Sequence, residues 1–529
     1  MLISARTRGT VIALAAVLVA GCSSSSPTSG PYQAAPPNVA VAPAATAGSG
    51  GNGTGQKPAA TPGDPLSAAQ PGDVTFTAPG LNPYVDTARD HLSTFGLDVD
   101  TASYTVARSY IQSGSLPDPA SVRVEEWVNF FDQAYAPPEE GVFAIHADGA
   151  PAPFLTGSQA DGEAVLRVGV QARSVSRHER PDAALTFVID TSGSMAEGDR
   201  LELVKSSLRL LVDRLRSTDR VAIVAFSTEA RVVLRPTPGN EREQILGAID
   251  ELEPQQTTNA EAGLTLGYGL ARESMIEGGI NRVILASDGV ANVGNVDPGT
   301  ILEAVQRDAS AGIQLVSVGV GMGNYNDTLL EQLADKGDGF YAYIDTPEEA
   351  HRLFVERLVS TIDTVALDAK AQVDFDPETV AAYRLIGYEN RAIADRDFRN
   401  NNVAAGAIGA GHAVTVLYGV RLRGSVRPGD RLAAVSLRWT DPATKGATEI
   451  AQDVNRSAIA GSWSQADAHL RLDTLVAAAA ETFRGSPWIE DFSVRQLADA
   501  LREVRGDLPQ SDQVNEFAGL VADAARLGS

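Results

Sequence analysis

Cysteine is almost missing: the 529 residues contain one, Cys22. That excludes a disulfide framework and a thiolate metal site. Histidine is sparse as well. The six (His91, His146, His178, His351, His412 and His469) are scattered, with none of the His-x-x-x-His spacing that puts two zinc ligands on one helix face. Positive charge is in deficit, 43 Lys and Arg against 67 Asp and Glu, for a formal net charge of −24. That balance argues against a nucleic-acid binder, since phosphate backbones reward Lys and Arg. Adsorption to an anionic membrane face is disfavoured for the same reason. No Gly-x-Ser-x-Gly elbow, Gly-x-x-x-x-Gly-Lys phosphate loop or His-Glu-x-x-His helix is present, so catalysis is not expected.

The N-terminal apolar run, Val11 to Ala20, is too short to span a bilayer as a stable helix. With Arg6 and Arg8 ahead of it, residues 1–21 read as an export signal. The run ends in Val19-Ala20-Gly21-Cys22, which resembles a bacterial lipobox. That resemblance implies cleavage before Cys22 and lipidation of its thiol, with several acyl chains giving a firm anchor. Ser23 would then favour sorting to an outer membrane in a cell that has one, and the cell membrane otherwise. Residues 22–90 form a tether rich in Ser, Pro, Ala and Gly. Between residues 23 and 80 the only charges are Lys57, Asp64 and Asp73. Such a stretch buries too little apolar surface to offset the entropy of ordering it.

Patterned sequence follows in four blocks. Residues 91–181 mix strand and helix: Ser93 to Asp100 alternates, Thr101 is placed to cap a helix from Tyr104 to Ile111, and Val124 to Phe131 reads as a second helix. Residues 142–149 and 164–172 alternate like strands. Residues 182–363 alternate strand and helix, with strands expected at 184–189, 221–226, 230–235, 283–287, 313–320 and 339–344. Most are continuous apolar runs, as in a parallel sheet covered on both faces. The 230–235 run follows 221–226 so closely that an antiparallel hairpin edge is expected. Thr346-Pro-Glu-Glu349 has the form of a capping box with Pro at the first helical position, opening a helix to about Ile362. Residues 364–463 return to β patterning, and strands on both flanks of the α/β unit are expected to pair into one β-sandwich. Residues 464–529 are helical, over Ala468–Phe483, Val494–Val504 and Gln513–Leu527. The fold class is therefore α/β and doubly wound, flanked by β-rich segments and followed by a helical region.

In an open α/β sheet, ligands sit beyond the carboxyl ends of the strands, where strand order reverses. Asp190 and Asp288 each end an expected strand; Ser192 and Ser194 lie on the turn after Asp190, and Thr258 precedes a helix. Three hydroxyls, two carboxylates and waters suit a hard cation with six oxygens, Mg2+ first and Mn2+ as a close second. The pattern Asp190-Thr-Ser192-Gly-Ser194, with Thr258 and Asp288 in order behind it, resembles the metal-ion-dependent adhesion site of a von Willebrand factor type A domain. The phrases Leu97 to Tyr104, Val124 to Phe131, Val380 to Arg391 and Ile408 to Tyr418 resemble the flanks of that domain in a group of bacterial surface lipoproteins. The resemblance implies direct ligation by Ser192, Ser194 and Thr258, with Asp190 and Asp288 acting through water or in one state only. It implies an open coordination position that an acidic side chain of a partner protein completes. It also implies that the last helix, Thr346 to Ile362, shifts with the metal shell, against the simpler expectation of a packed helix. One departure is Gln255-Gln256-Thr257, where many members carry glycines. The expectation is a lipid-anchored envelope protein that binds a protein through Mg2+. The alternatives are an envelope scaffold with metal-independent contacts and, with fewer residues behind it, a hydrolase.

Overall fold

The computed structural model of the chain describes residues 76, 78, 80–151, 163–176, 178–255, 257–289, 298–321, 327–357, 363–424, 426–489 and 492–528. The expected leader, Cys22 and most of the tether lie outside the described residues. Ahead of the α/β unit come β1 (Val85–Asp86), β2 (Leu92–Gly96), β3 (Phe143–Ala150) and β4 (Glu163–Ala172). The unit holds β5 (Ala183–Asp190), β6 (Arg220–Phe226), β7 (Ala230–Pro238), β8 (Ile280–Ser287), β9 (Gln314–Val320) and β10 (Tyr341–Ile344). Behind it follow β11 (Thr364–Phe375), β12 (Val380–Ile386), β13 (Gly406–Gly409), β14 (Ala413–Leu422), β15 (Arg431–Thr440) and β16 (Ala447–Asn455).

Every residue of β5 and of β8 is buried, which requires cover on both faces of their sheet. That sheet has the order β10-β9-β8-β5-β6-β7, parallel from β10 to β6, with β7 antiparallel at the edge as its short connection implied. Alternate side chains feed two cores. Leu185, Phe187 and Ile189 pack under the helices Arg200–Val212 and Arg242–Asp250. On the other face, Val188, Val283 and Leu285 pack under Ala260–Ser274, Pro298–Ser310 and Asp327–Lys336. The chain runs outward from β5 to β6 and later from β8 to β10 in the opposite sense. Strand order therefore reverses between β5 and β8.

The expected sandwich is present, and both flanks build it. β4 from the N-terminal side pairs antiparallel with β14 from the C-terminal side, in the sheet β1-β12-β14-β4-β3. β2 pairs with β11, which also carries β15 and β13 in the second sheet. Phe95, Val168, Val373, Val416 and Val435 close one shared core between the two. The sandwich meets the α/β sheet at the amino ends of its strands. There Arg282, near the start of β8, donates to Thr364 Oγ1 at 2.5 Å, and Thr364 in turn donates to Gln314 at the start of β9.

The C-terminal helices are Ala468–Phe483, Val494–Asp507 and Asp512–Leu527. They pack with the helices Ala102–Gln112 and Val124–Asn129 around Tyr104, Trp127, Phe130, Phe131 and Phe517. One capping expectation fails and a second holds only in part. Thr101 precedes its helix without a side-chain cap, and the Ser103 N–H is satisfied instead by Glu126 Oε2 at 2.7 Å. Thr346 does accept from the Glu349 N–H at 3.1 Å, but the Glu349 carboxylate turns away to Arg352 and Arg108 rather than completing a box. The helix Pro347–His351 then widens into a π-turn, Arg352–Glu356. Its expected continuation from 358 to Ile362 lies outside the described residues.

Candidate metal centre

Asp190 closes β5 at the point where strand order reverses. It is fully buried, and both its oxygens are fixed: Oδ1 accepts from the Ser192 N–H at 2.8 Å and Oδ2 from the Ser287 hydroxyl at 2.6 Å. The carboxylate thus ties the turn after β5 to the end of β8. Thr191 adds a link to β6, since its N–H and its hydroxyl both reach the Phe226 carbonyl at 2.9 Å. From there the oxygens run as a chain. Ser192 Oγ lies 3.1 Å from Ser194 Oγ, and the Ser194 hydroxyl donates to Asp288 Oδ1 at 3.0 Å. Four of the five expected residues are therefore linked in one hydrogen-bonded run.

Thr258 stands beside this chain without joining it. It is half-buried on the loop ahead of Asn259, whose side chain caps the helix Ala260–Ser274 by accepting the Ala262 N–H at 3.1 Å. Among the described residues, no hydrogen bond connects its hydroxyl to Ser192, Ser194 or Asp288. The loop itself is held at the rim. The Gln255 N–H donates to the Thr191 carbonyl at 2.5 Å, and the Ser227 hydroxyl donates to Gln255 Oε1 at 2.5 Å. Gln255, noted as a departure from the glycines of the resemblance, is thus a brace between the loop and the ends of β5 and β6. Behind Thr258 the helix lies very close to the sheet. A Cβ at Gly263 would fall 2.6 Å from the Phe226 ring, and one at Gly267 would fall 2.3 Å from Val188.

Burial dominates the electrostatics. It pushes the Asp190 carboxyl up to about 6, against the lowering effect of the Ser287 and Ser192 hydrogen bonds, and the nearby Asp288 charge adds to the rise. Asp288 is also raised by burial, opposed by the Ser194 hydroxyl and the Arg200 guanidinium. Two desolvated carboxyls side by side favour a cation between or beside them.

The donor set fits a hard divalent ion. Among the described residues no group of three or more His, Cys, Asp or Glu is placed to hold a metal, and the oxygens beside the two carboxyls are the hydroxyls of Ser192 and Ser194. In an octahedron with ligand distances near 2.1 Å, neighbouring oxygens are about 3.0 Å apart. The Ser192–Ser194 separation of 3.1 Å matches that edge, and the hydrogen bond from Ser194 at 3.0 Å sets the Asp288 carboxylate beside the pair. Two members of the rim escaped the sequence reading. Ser287 sits next to Asp288 and was legible only as the last strand residue. Arg200, whose Nη1 donates to Asp288 Oδ2 at 2.6 Å, carries no motif that marks it.

Comparison with known proteins follows the same division of the chain. The family model for the von Willebrand factor type A domain matches residues 184–356, one described as von Willebrand factor matches 70–160, and one described as "Uncharacterized protein YfbK, C-terminal" matches 360–527. YfbK of Escherichia coli (strain K12) is 36% identical over 478 residues, covering 86% of this chain and 81% of that protein. Inter-alpha-trypsin inhibitor heavy chain H3 of Homo sapiens is 32% identical over 165 residues, which is 30% of this chain and 18% of that one. A solved structure of a von Willebrand factor type A protein from Catenulispora acidiphila is similar over 71% of this chain and 89% of its own, at 16% identity and a TM-score of 0.42. Type A domains as a class mediate protein–protein contacts rather than catalysis, and commonly bind a divalent metal. From the match across both flanks and the α/β unit, this chain belongs to the YfbK family of bacterial type A domain proteins.

Proposed function

We propose that this protein is held to the cell envelope by lipid on Cys22 and binds a protein partner through a divalent cation, Mg2+ first and Mn2+ second. Ser192 and Ser194 would hold the ion directly, Thr258 would supply a third hydroxyl from the neighbouring loop, and Asp190 and Asp288 would act chiefly through water. The ion would supply a positive charge at an open position, to which an Asp or Glu of the partner would bind. The observation that carries this reading is the Ser192–Ser194 hydroxyl pair, spaced as an octahedral edge and hydrogen-bonded to Asp288 at the reversal point of the sheet. Hydroxyl ligands leave a divalent ion more of its charge than carboxylate ligands do, and this favours an anionic ligand from outside.

Calorimetric titration of the purified chain with MgCl2 tests the ion, with heats of binding expected in wild type and none in Asp190→Ala. A crosslinked pull-down from envelope extracts tests the partner: capture in Mg2+ that is lost in EDTA supports the reading, and capture indifferent to EDTA favours the scaffold. Labelling with a fatty-acid analogue tests the anchor, with label expected on wild type and absent from Cys22→Ala.

A further inference from the structure

Arg200 opens the helix Arg200–Val212, and its side chain turns back across the rim. Nη1 donates to Asp288 Oδ2 at 2.6 Å and to the Ser194 carbonyl at 3.1 Å. Two backbone features aim it there. Gly198 and Asp199 are both left-handed, with φ of 57° and 59°, and swing the chain into the helix. Asp199 adopts that conformation at an energetic cost, as a residue with a side chain. Gly321, just past β9 with φ +73°, supplies a bare floor: a Cβ there would fall 2.1 Å from Arg200 Nε. Asp288 is consequently held from both sides, Oδ1 by the Ser194 hydroxyl and Oδ2 by the guanidinium. The acid next to Arg200 on the solvent side, Glu197, lies 3.8 Å from Nη2 and is mostly exposed, so water screens it.

We infer that Arg200 is a built-in counter-ion of the metal site: by holding Asp288 it keeps that carboxylate out of an ion's inner shell, weakens the grip on the ion, and leaves the bound ion charge enough to attract an acidic partner. The inference rests on the metal-dependent reading above. Asp190 and Asp288 bring two negative charges to the rim and Arg200 one positive charge. A divalent ion then leaves the rim with a net charge of about +1, where the same site without the guanidinium would be neutral. Metal affinity is traded for partner affinity, and Arg200 sets the exchange as a positioning residue.

Mn2+ alone is the probe, because electron paramagnetic resonance counts the free ion. The full chain is titrated as wild type, Arg200→Gln and Arg200→Lys. Arg200→Gln is expected to bind Mn2+ at least about tenfold more tightly than wild type, because removing a nearby cation favours a second one. Arg200→Lys keeps the charge and is expected to stay within about threefold of wild type. In EDTA the glutamine variant is expected to melt below wild type, and Mn2+ is expected to raise its melting temperature by more. An arginine with a purely structural role would lower stability without tightening the ion. Equal or weaker Mn2+ affinity in Arg200→Gln overturns the counter-ion role and leaves the metal reading standing. No Mn2+ binding by any of the three proteins overturns the metal reading itself, and this inference with it. Should Arg200→Gln not fold, Gly321→Ala displaces the same side chain from its floor. It is expected to tighten Mn2+ by about threefold, as part of the same charge is withdrawn, and unchanged affinity there overturns the inference.

Discussion

The rim of the sheet and the cluster around Arg391 have similar compositions and opposite chemistry. At the rim, two carboxylates face one guanidinium, and the hydroxyl oxygens of Ser192 and Ser194 keep lone pairs to offer. Around Arg391, four carboxylates converge on one guanidinium: Asp98 at 3.0 Å, Asp100 and Glu331 at 3.2 Å, and Asp335 at 2.7 Å. Arg123 adds a second cation, 3.0 Å from Glu331. Burial pushes Asp100 well up, with the Asp98 charge adding to it and Arg391 opposing, while the surrounding acids hold Arg391 firmly charged. This cluster joins the N-terminal block, the α/β unit and the C-terminal block, and each of its four acids is paired with a guanidinium. Acidity therefore does not mark a metal site in this chain. The proposed site rests instead on hydroxyl oxygens with lone pairs to offer at a strand reversal.

Breaking the Arg391 cluster should have the largest effect. Arg391→Ala strips the shared cation from four acids, and a loss of about 3–5 kcal/mol in urea unfolding is expected, as for a buried ion pair left without one partner. Asp190→Ala should cost less in EDTA, about 1–3 kcal/mol, because the Ser192 N–H and Ser287 hydroxyl lose their acceptor. Its signature is different: the rise in melting temperature with Mg2+, expected in wild type and in Arg391→Ala, should vanish. If Asp190→Ala keeps that rise, the ion binds elsewhere.

A third acidic cluster sharpens the comparison through pH. Arg167 contacts Asp473 at 2.9 Å, Asp467 at 3.1 Å and Asp148 at 2.8 Å. Burial raises Asp473 to about 6 despite Arg167 and Gln133, whereas hydrogen bonding with His469, helped by Arg167, holds the half-exposed Asp467 far below the usual carboxylate range. For Asp473 the folded state keeps a proton that the unfolded chain has already released. Stability should fall as pH rises from about 4 to 6, by at most about 1.4 kcal/mol per unit, with the penalty fully present above 6. For Asp467 the sign is opposite: its contribution is present above about 4 and is lost as pH falls below that. Urea midpoints across this range should show the decline flattened in Asp473→Asn and the acid loss reduced in Asp467→Asn.

What could be seen in the sequence was local or periodic. The gap between Phe226 and Ala230 is too brief for a crossover, so the antiparallel edge was legible. So was the doubly wound unit, from apolar runs such as Phe187-Val-Ile that leave no wet face. The sandwich was legible as a pattern split by the α/β unit, although its pairings, such as Val168 with Val416, are not encoded by any short-range signal. The rim was legible except for its least local parts. Asp288 and Arg200 are 88 positions apart, and Asp98 and Arg391 are 293 apart. Thr101 shows the limit of cap reading: a nearby carboxylate, Glu126, took the N–H that a cap would have served.

The sandwich receives the α/β unit twice, through the stretch between β4 and β5 and again where Thr364 enters β11, both at the amino ends of the parallel strands. Attachment at two points leaves fewer ways to turn than a single tether would. Tension drawn from the opposite rim would divide between β4 and β11, each paired laterally into a different sheet. A load applied at the rim would thus be shared by both sheets of the sandwich.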